Sequence, residues 1–399
     1  MNNNGYDIVI TGGGASGLML AASLDLKGRR GILFEKTREP GTKLLMSGGG
    51  RCNITHGGSV KDFVGAYGES GPRLRKCLYR HNNAELAAWL EDHGIDLADE
   101  KGNPVSAADL GDPQNDPGRI FPASMKASDV LRALLSCAET NGWVIETEEE
   151  VTGMRPEGEK WKVSTASDGS FSTAAVVFAT GGITFPETGS DGGAFGILGN
   201  LGIGITEPRS ALAPVYVRDY PYEELSGISI PDVTVTAFSS DAANTCKGKA
   251  ARMTGDLLFT HRGFSGPVIL NISRYAEPGE LIRIKYNKGF DDLPRRMQKV
   301  LEKRAKGPSG DIRTTVLASL LDSDDFAVSS VESNGMVTAG GISLDEIDLT
   351  TMELRRLPGI YAIGEAINAD GITGGYNLQM CWSTARTAAD ALSNAFAEK

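Results

Sequence analysis

The stretch Tyr6-Asp-Ile-Val-Ile-Thr-Gly-Gly-Gly-Ala-Ser-Gly17 runs on through a small, apolar segment to Lys27, and then through Gly31-Ile-Leu-Phe-Glu35. Tyr6–Thr11 has the β-branched, apolar character of a short buried strand. Ala15–Lys27 is small, apolar and free of proline, which suits a helix, and Gly28 is placed to stop it. Gly31–Phe34 reads as a second buried strand ending at Glu35. Within this strand–turn–helix–strand frame, Gly12, Gly14 and Gly17 fit the pattern G-x-G-x-x-G. Gly12 permits the tight turn, Gly14 lets backbone approach a pyrophosphate, and Gly17 lets the helix sit close to the strand. The amides of Gly13, Gly14, Ala15 and Ser16 face the pyrophosphate at the positive end of the helix. Glu35, with Lys36 beside it, closes the second strand and is placed to accept hydrogen bonds from the adenosine ribose. An acid there suits an unphosphorylated ribose, so FAD or NAD fits and NADP does not.

The other end of the chain separates FAD from NAD. Ile360-Tyr-Ala-Ile-Gly-Glu365 is a strand ending in Gly364-Glu365, followed by Gly371-Ile-Thr-Gly-Gly-Tyr-Asn-Leu-Gln379 and a long Ala-rich helix. An acid at such a strand end can bind a ribityl chain. The amides of Gly375, Tyr376, Asn377 and Leu378 at the next helix start can face the N1–C2=O edge of a flavin, where charge develops on reduction. This points to FAD. No second strand–GxGxxG–helix unit follows, so NAD(P)H is expected only as a transient donor at the flavin face, if it serves at all.

Composition narrows the class. The chain has 399 residues, with 40 Lys and Arg against 51 Asp and Glu, a formal charge of −11. That balance, with no basic stripe apparent, argues against nucleic acid as partner. No apolar run reaches the length of a membrane span. The five cysteines are scattered without a C-x-x-C, and the four histidines show no ligand spacing, so neither a redox disulfide nor a metal site is signalled. The polar N-terminus lacks a signal-peptide n-region, and a cytoplasmic protein is expected.

Along the chain, helices are expected over Ala84–Glu91 and Ser128–Asn141, the latter capped by Ser128, and Asp99–Gly118 reads as a surface loop. From about residue 190 the pattern changes to short strands: Leu212–Val217, Val233–Phe238, Leu257–Thr260 and Leu281–Lys285. Asp292–Arg304 and Thr314–Leu321 look helical. The expected organisation is an FAD domain built from residues 1–190 and 335–399, interrupted by a β-rich domain over 191–334 with a small helical cap at about 290–325.

Several segments, in order over nearly the whole chain, resemble the BaiN/YhiN-type family of FAD-dependent oxidoreductases. They include Lys43-Leu44 with Ser47-Gly-Gly-Gly-Arg-Cys-Asn53, Gly118-Arg-Ile-Phe-Pro122, Ala179-Thr-Gly-Gly182, and Leu258-Phe-Thr-His261 with Gly263, Ser265, Gly266 and Pro267. The Gly-Gly-Tyr-Asn loop completes the set. More distantly the chain is similar to fumarate reductase flavoprotein subunits. The resemblance implies an α/β, two-dinucleotide-binding-type (Rossmann-like) FAD domain, discontinuous and interrupted by a β-barrel-like domain. It implies that Ala179, Thr180 and Gly181 cross close to FAD and that the backbone of Val151 meets the adenine. It further implies that Lys43, Leu44, Ser47, Gly49, Gly50, Arg51, Cys52 and Asn53 serve the cofactor. The implied reaction is hydride transfer between flavin and a small organic substrate, such as reduction of a C=C bond conjugated to a carbonyl. An RNA-modifying flavoenzyme and a non-catalytic flavin sensor are the alternatives. The chain departs from the family pattern at Gly202-Ile203, at Ile367-Asn368 and along Met380–Arg386.

Several side chains carry candidate chemistry. His261 is a proton donor, an oxyanion stabiliser or a structural hydrogen-bonded His, and Tyr376 a proton donor or an aromatic packed on the isoalloxazine. Arg262 and Arg119 can hold a carbonyl or carboxylate, or be solvated. Cys52 is a flavin-side thiol or a small buried residue.

Overall fold

The computed structural model describes residues 5–112, 114–240, 246–307 and 310–397, and the side chains among them outside 239–250. The chain divides into two units, Met1–Arg209 with Thr338–Lys399, and Ser210–Val337.

The first unit is built on a sheet whose parallel strands run in the order Ile360–Ala362, Ala175–Phe178, Ile8–Thr11, Gly31–Glu35, Val144–Thr147. Glu353–Leu354 and Ile347–Asp348 extend one edge antiparallel. The three central strands are buried along their whole length, as near-continuous apolar runs in a covered parallel sheet require. The helix Ala15–Ser23 packs against Tyr376–Ala397 and against Ala127–Thr140. Two smaller antiparallel sheets flank this core. One joins Val151–Glu157, Lys160–Thr165 and Ser170–Thr173, and the other joins Thr55–His56, Arg119–Pro122, Leu97–Asp99 and Pro104–Val105.

Three local expectations change. The first helix ends at Ser23, not at Gly28. Its final carbonyls are satisfied from outside: Asn141 Nδ2 donates to Ala21 O and Ala22 O, and Trp143 Nε1 donates to Leu24 O at 2.9 Å. The chain can then turn away early and bury Leu24 and Leu26. The helix Ala127–Thr140 starts after Lys126, so Ser128 lies inside its first turn and caps nothing. The segment 99–118 is not all loop. It contributes the strand Pro104–Val105 and the helix Ala107–Gly111, which Ser106 and Asp109 close with a reciprocal capping box.

The second unit holds a closed six-stranded barrel, in the order Val215–Val217, Gly263–Ser265, Cys246–Phe259, Ser229–Ser240, Leu281–Tyr286, Asp324–Val331. Val233, Val235, Leu257, Phe259, Phe264, Ile282, Ile284 and Val328 fill its core. The helices Arg295–Ala305 and Thr314–Asp322 pack on each other within this unit. Among the described residues no helix is long and apolar enough to cross a membrane.

A buried carboxylate borders this core. Asp324 is 2% exposed and takes a bidentate pair from Arg304 at 2.7 and 2.9 Å. The Tyr222 hydroxyl donates to the same carboxylate and accepts from Arg304. Arg304 is on the helix and Asp324 opens a barrel strand, so the pair ties the two together. Removing one partner of a buried pair strands the other, at a cost of about 3–5 kcal/mol. Asp324→Ala should lower unfolding stability by that amount in urea titrations. A loss below about 1 kcal/mol would show that the pair does not hold the helix.

Candidate active site

The N-terminal glycine turn is shaped by contact. A Cβ on Gly17 would overlap Gly12 O, and a Cβ on Gly12 would overlap the backbone of Ala179 and Thr180. The turn, the helix start and the strand Ala175–Phe178 therefore pack backbone to backbone. Gly14, at the helix N-cap, faces open space instead, with nothing within 4 Å of where its Cβ would be. The first amides of the helix lack intrahelical acceptors and stand over that space. The helix carries no acid in its first turn, so an anion is the natural complement.

Glu35 lies directly beside this turn, 6% exposed. Its Oε2 accepts from Gly13 N at 2.7 Å, and its Oε1 accepts from Thr37 N and Oγ1, both at 2.8 Å. The carboxylate thus holds the glycine loop in shape and keeps lone-pair capacity for a ribose hydroxyl. Lys36 reaches Asp191 at 2.6 Å and Glu150 at 3.8 Å. The backbone of Glu148 and Glu149 is hydrogen-bonded to Thr37 and Glu35, which brings Val151 to the same end of the site. Beside Gly181 the Ser190 hydroxyl is buried without a partner. Open space at the helix start, free amides, an acid at the strand end and an orphaned hydroxyl fit FAD.

The two chain ends meet here. Gly364 takes φ +64, and a Cβ on it would overlap Ser16 Oγ. Its amide donates to Thr384 Oγ1 at 2.9 Å. The next residue, Glu365, accepts from Lys43 Nζ at 2.8 Å and from Thr338 N at 2.6 Å. Lys43 also donates to Thr184 Oγ1 at 2.9 Å. Glu365 therefore joins three segments through one carboxylate, and Lys43 neutralises it in place. The Asn377 side chain closes the Gly371–Ile372 loop onto the helix start, with Gly371 N donating to Oδ1 at 2.8 Å. Its backbone amide, not its side chain, is what it can offer a flavin.

The glycine run after Lys43 stands exposed. Leu44 is buried beneath it, and Ser47 Oγ donates to Leu44 O at 2.6 Å. Gly48, Gly49 and Gly50 take φ of 58, 68 and 86°, and nothing lies within 4 Å of a Cβ on Gly49. Such a bare shelf allows a flat ring to lie against backbone. Cys52 is fully buried, which pushes its thiol up to about 12 against a lowering hydrogen bond with Ser47. At neutral pH it is a packed thiol and not a nucleophile. With the Asn53 amide oriented to satisfy both neighbours, its oxygen accepts from Gly375 N and its nitrogen donates to Thr55 O, each at 3.0 Å. Arg51 lies over the Phe121 ring at 4.7 Å and reaches Glu100 at 3.5 Å.

His56 was not singled out by any spacing, yet it belongs to this corner. Its ring is stacked on Tyr376 at 5.0 Å with 14° between planes. Its Nδ1 lies 3.1 Å from Gly57 O and 3.6 Å from Asp116. It pairs across the sheet with Arg119, so both side chains share one face. Arg119 in turn reaches Glu100, the acid Arg51 also faces, at 3.4 Å. Tyr376 is packed by Phe63 and Tyr67, and burial, with the charges of Asp116 and Asp62, pushes its hydroxyl up to about 12. It stays protonated across the physiological range.

His261 and Arg262 lie in the second unit, as the exposed middle residues of a tight turn that Thr260 and Gly263 close. Arg262 lies over Tyr216 at 5.2 Å. Gly263–Ser265 after them is a barrel strand, and the helix begins only at Pro267.

Glu35→Ala removes a charged acceptor from both the Gly13 loop and the ribose position. A hydrogen bond to a charged group contributes about 1.5–3 kcal/mol, so FAD affinity should fall roughly tenfold or more in titrations of the apoprotein. Unchanged affinity would remove Glu35 from the cofactor site.

Residues 6–391 match the HI0933-like protein Rossmann domain. The ribosomal RNA dihydrouridine synthase of Escherichia coli K12 is 29% identical over 95% of this chain and 96% of its own length. The 3-dehydro-bile acid delta(4,6)-reductase of Clostridium scindens is 24% identical over 94% and 96%. Among solved structures, a mutant of the E. coli quinol fumarate reductase subunit FrdA shares the fold, with a TM-score of 0.54 at 14% identity over 100% of this chain and 71% of its own. The chain belongs to the HI0933-like Rossmann-domain family and is an FAD-dependent oxidoreductase.

Proposed function

We propose that this enzyme reduces a C=C bond conjugated to a carbonyl, and that its substrate is a uracil base within RNA. The observation that supports this is the chemistry common to its relatives. Forming dihydrouridine and reducing a bile-acid enone are named for different substrates. Both saturate a C=C beside a C=O. Hydride adds to the carbon remote from the carbonyl, and a proton adds to the adjacent carbon. The higher identity to the RNA enzyme favours uracil. A polycyclic enone is the second reading, favoured by the bile-acid reductase.

Bound FAD, once reduced, supplies the hydride. The protein's part is to place the base, polarise its carbonyl and hold the proton. Lys43, Glu35 and the two helix starts are assigned to the cofactor. His56 is assigned the proton, since Nδ1 faces Gly57 O and Asp116 and leaves Nε2 for the substrate. Arg119 on the same face is assigned the carbonyl oxygen, where negative charge grows as hydride adds. Tyr376 packs behind His56 and fixes its ring plane. NAD(P)H is proposed as the donor that recharges the flavin between turnovers.

The test uses holoprotein reduced anaerobically and mixed with ribosomal RNA lacking dihydrouridine, or with a steroid-like enone. Mass spectrometry of RNA digests should show uridine gaining two hydrogens. General acid assistance contributes about a hundredfold to ten-thousandfold, so His56→Ala should slow flavin reoxidation by that order while FAD content holds. If instead His261→Ala gives the slow phase and His56→Ala does not, the proton comes from the hairpin turn and the assignment to His56 is wrong. No saturation of uridine would end the RNA reading.

A further inference from the structure

The negative charge of the chain is not evenly placed. The unit Ser210–Val337 contains 16 Lys and Arg and 16 Asp and Glu, so the whole excess of acid, 35 against 24, lies in the flavin-binding unit. Within the neutral unit the cations are again concentrated. Residues 288–306 hold seven Lys and Arg against three acids.

Folding sorts these charges by face. Met297, Val300, Leu301 and Ala305 bury one side of the helix Arg295–Ala305, and Arg304 turns in to Asp324. Arg295, Lys299 and Lys303 are exposed and recur at spacings of four, which sets them in one line along the outer side of the helix, and the exposed Lys306 follows at its C-terminal end. Lys303 is 75% exposed and meets Glu224 only at 3.4 Å, while Arg296 donates to a carbonyl, Glu224 O. Arg295, Lys299 and Lys306 have no acidic partner among the described residues. The arrangement works against the helix itself. Like charges four apart repel, and the first turn carries two arginines and no acid at the positive end of the dipole. A polyanion along this side would relieve both.

We propose that this basic ridge of the inserted domain holds the sugar–phosphate backbone of the RNA substrate; the inference rests on the uracil-in-RNA reading above. Its role is affinity, while the base is read at the flavin. It also accounts for how a chain of net charge −11 engages a polyanion: the field is attractive locally on one neutral domain and repulsive elsewhere.

The experiment measures binding of protein-free ribosomal RNA to the holoprotein over a series of salt concentrations. The variant is R295Q/K299Q/K306Q, and the control is R155Q/K160Q/K27Q, three exposed cations of the other unit. Phosphate contacts set the log–log salt slope at about 0.7–0.9 per neutralised charge. The ridge variant should therefore show a slope shallower by about 2–3 and at least tenfold weaker binding near 0.1 M salt. Its reoxidation by a small cyclic enone should stay unchanged, as should RNA binding by the control. Equal affinity and slope in the ridge variant, with uridine still reduced, would overturn the ridge and leave the RNA reading standing. Absence of both RNA binding and uridine reduction in the unmodified protein would overturn the RNA reading, and the ridge with it.

Discussion

The flavin-binding unit depends on glycine backbone approaching its neighbours more closely than a Cβ permits. At one point Gly17 seats the first helix on the Gly12 turn, and Gly12 seats that turn on the strand ending at Ala179. At another, Gly364 brings the C-terminal strand end down onto Ser16. These contacts place two helix N-termini, at Ala15 and Tyr376, in one unit although they lie at opposite ends of the chain. Each start offers unsatisfied amides, one suited to a pyrophosphate and the other to the polar edge of a flavin. The remaining polar groups then fall into supporting roles. Glu35 holds the loop at Gly13, Lys43 neutralises Glu365, and Asn53 ties the glycine run to Gly375.

Much of this is legible in the sequence because glycine position and strand–helix context carry specific geometric meaning. G-x-G-x-x-G before a helix, with Glu35 at the next strand end, admits few alternative readings. Other features depend on partners distant in sequence. Periodicity could not show that Asn141 and Trp143 cap the carbonyls around Ser23 and end the first helix early. Ser128 has the right chemistry for a cap, but the cap position falls two residues earlier, at Lys126. His56 carries no motif. It becomes significant only because a two-residue strand sets it beside Arg119 and the C-terminal loop lays Tyr376 against it. A net charge averages over domains: the acid excess behind the expectation of no nucleic-acid partner lies in one unit, and the inserted unit does not share it.

The two units divide the electrostatic work. In the flavin unit acids and cations are paired locally, as at Lys36–Asp191 and Lys43–Glu365. In the barrel unit the pair Arg304–Asp324 fixes a helix whose outer cations remain exposed. That pair contributes through placement: a rigid helix presents its charges in a fixed line, whereas the same residues on a loop would pay an ordering cost on binding.

The central claim is that the flavin site forms only where Gly364 lets the two chain ends meet. The direct test is equilibrium FAD binding to Gly364→Ala, with Gly158→Ala as its control. Both glycines have positive φ, +64 and +67, but a Cβ on Gly158 meets nothing within 4 Å, whereas one on Gly364 strikes Ser16. Left-handed strain alone costs about 1–3 kcal/mol at either site. Only the Gly364 substitution should also lower FAD affinity, by roughly tenfold or more, equivalent to about 1.4 kcal/mol or above. Full occupancy and unchanged affinity in Gly364→Ala would contradict the account.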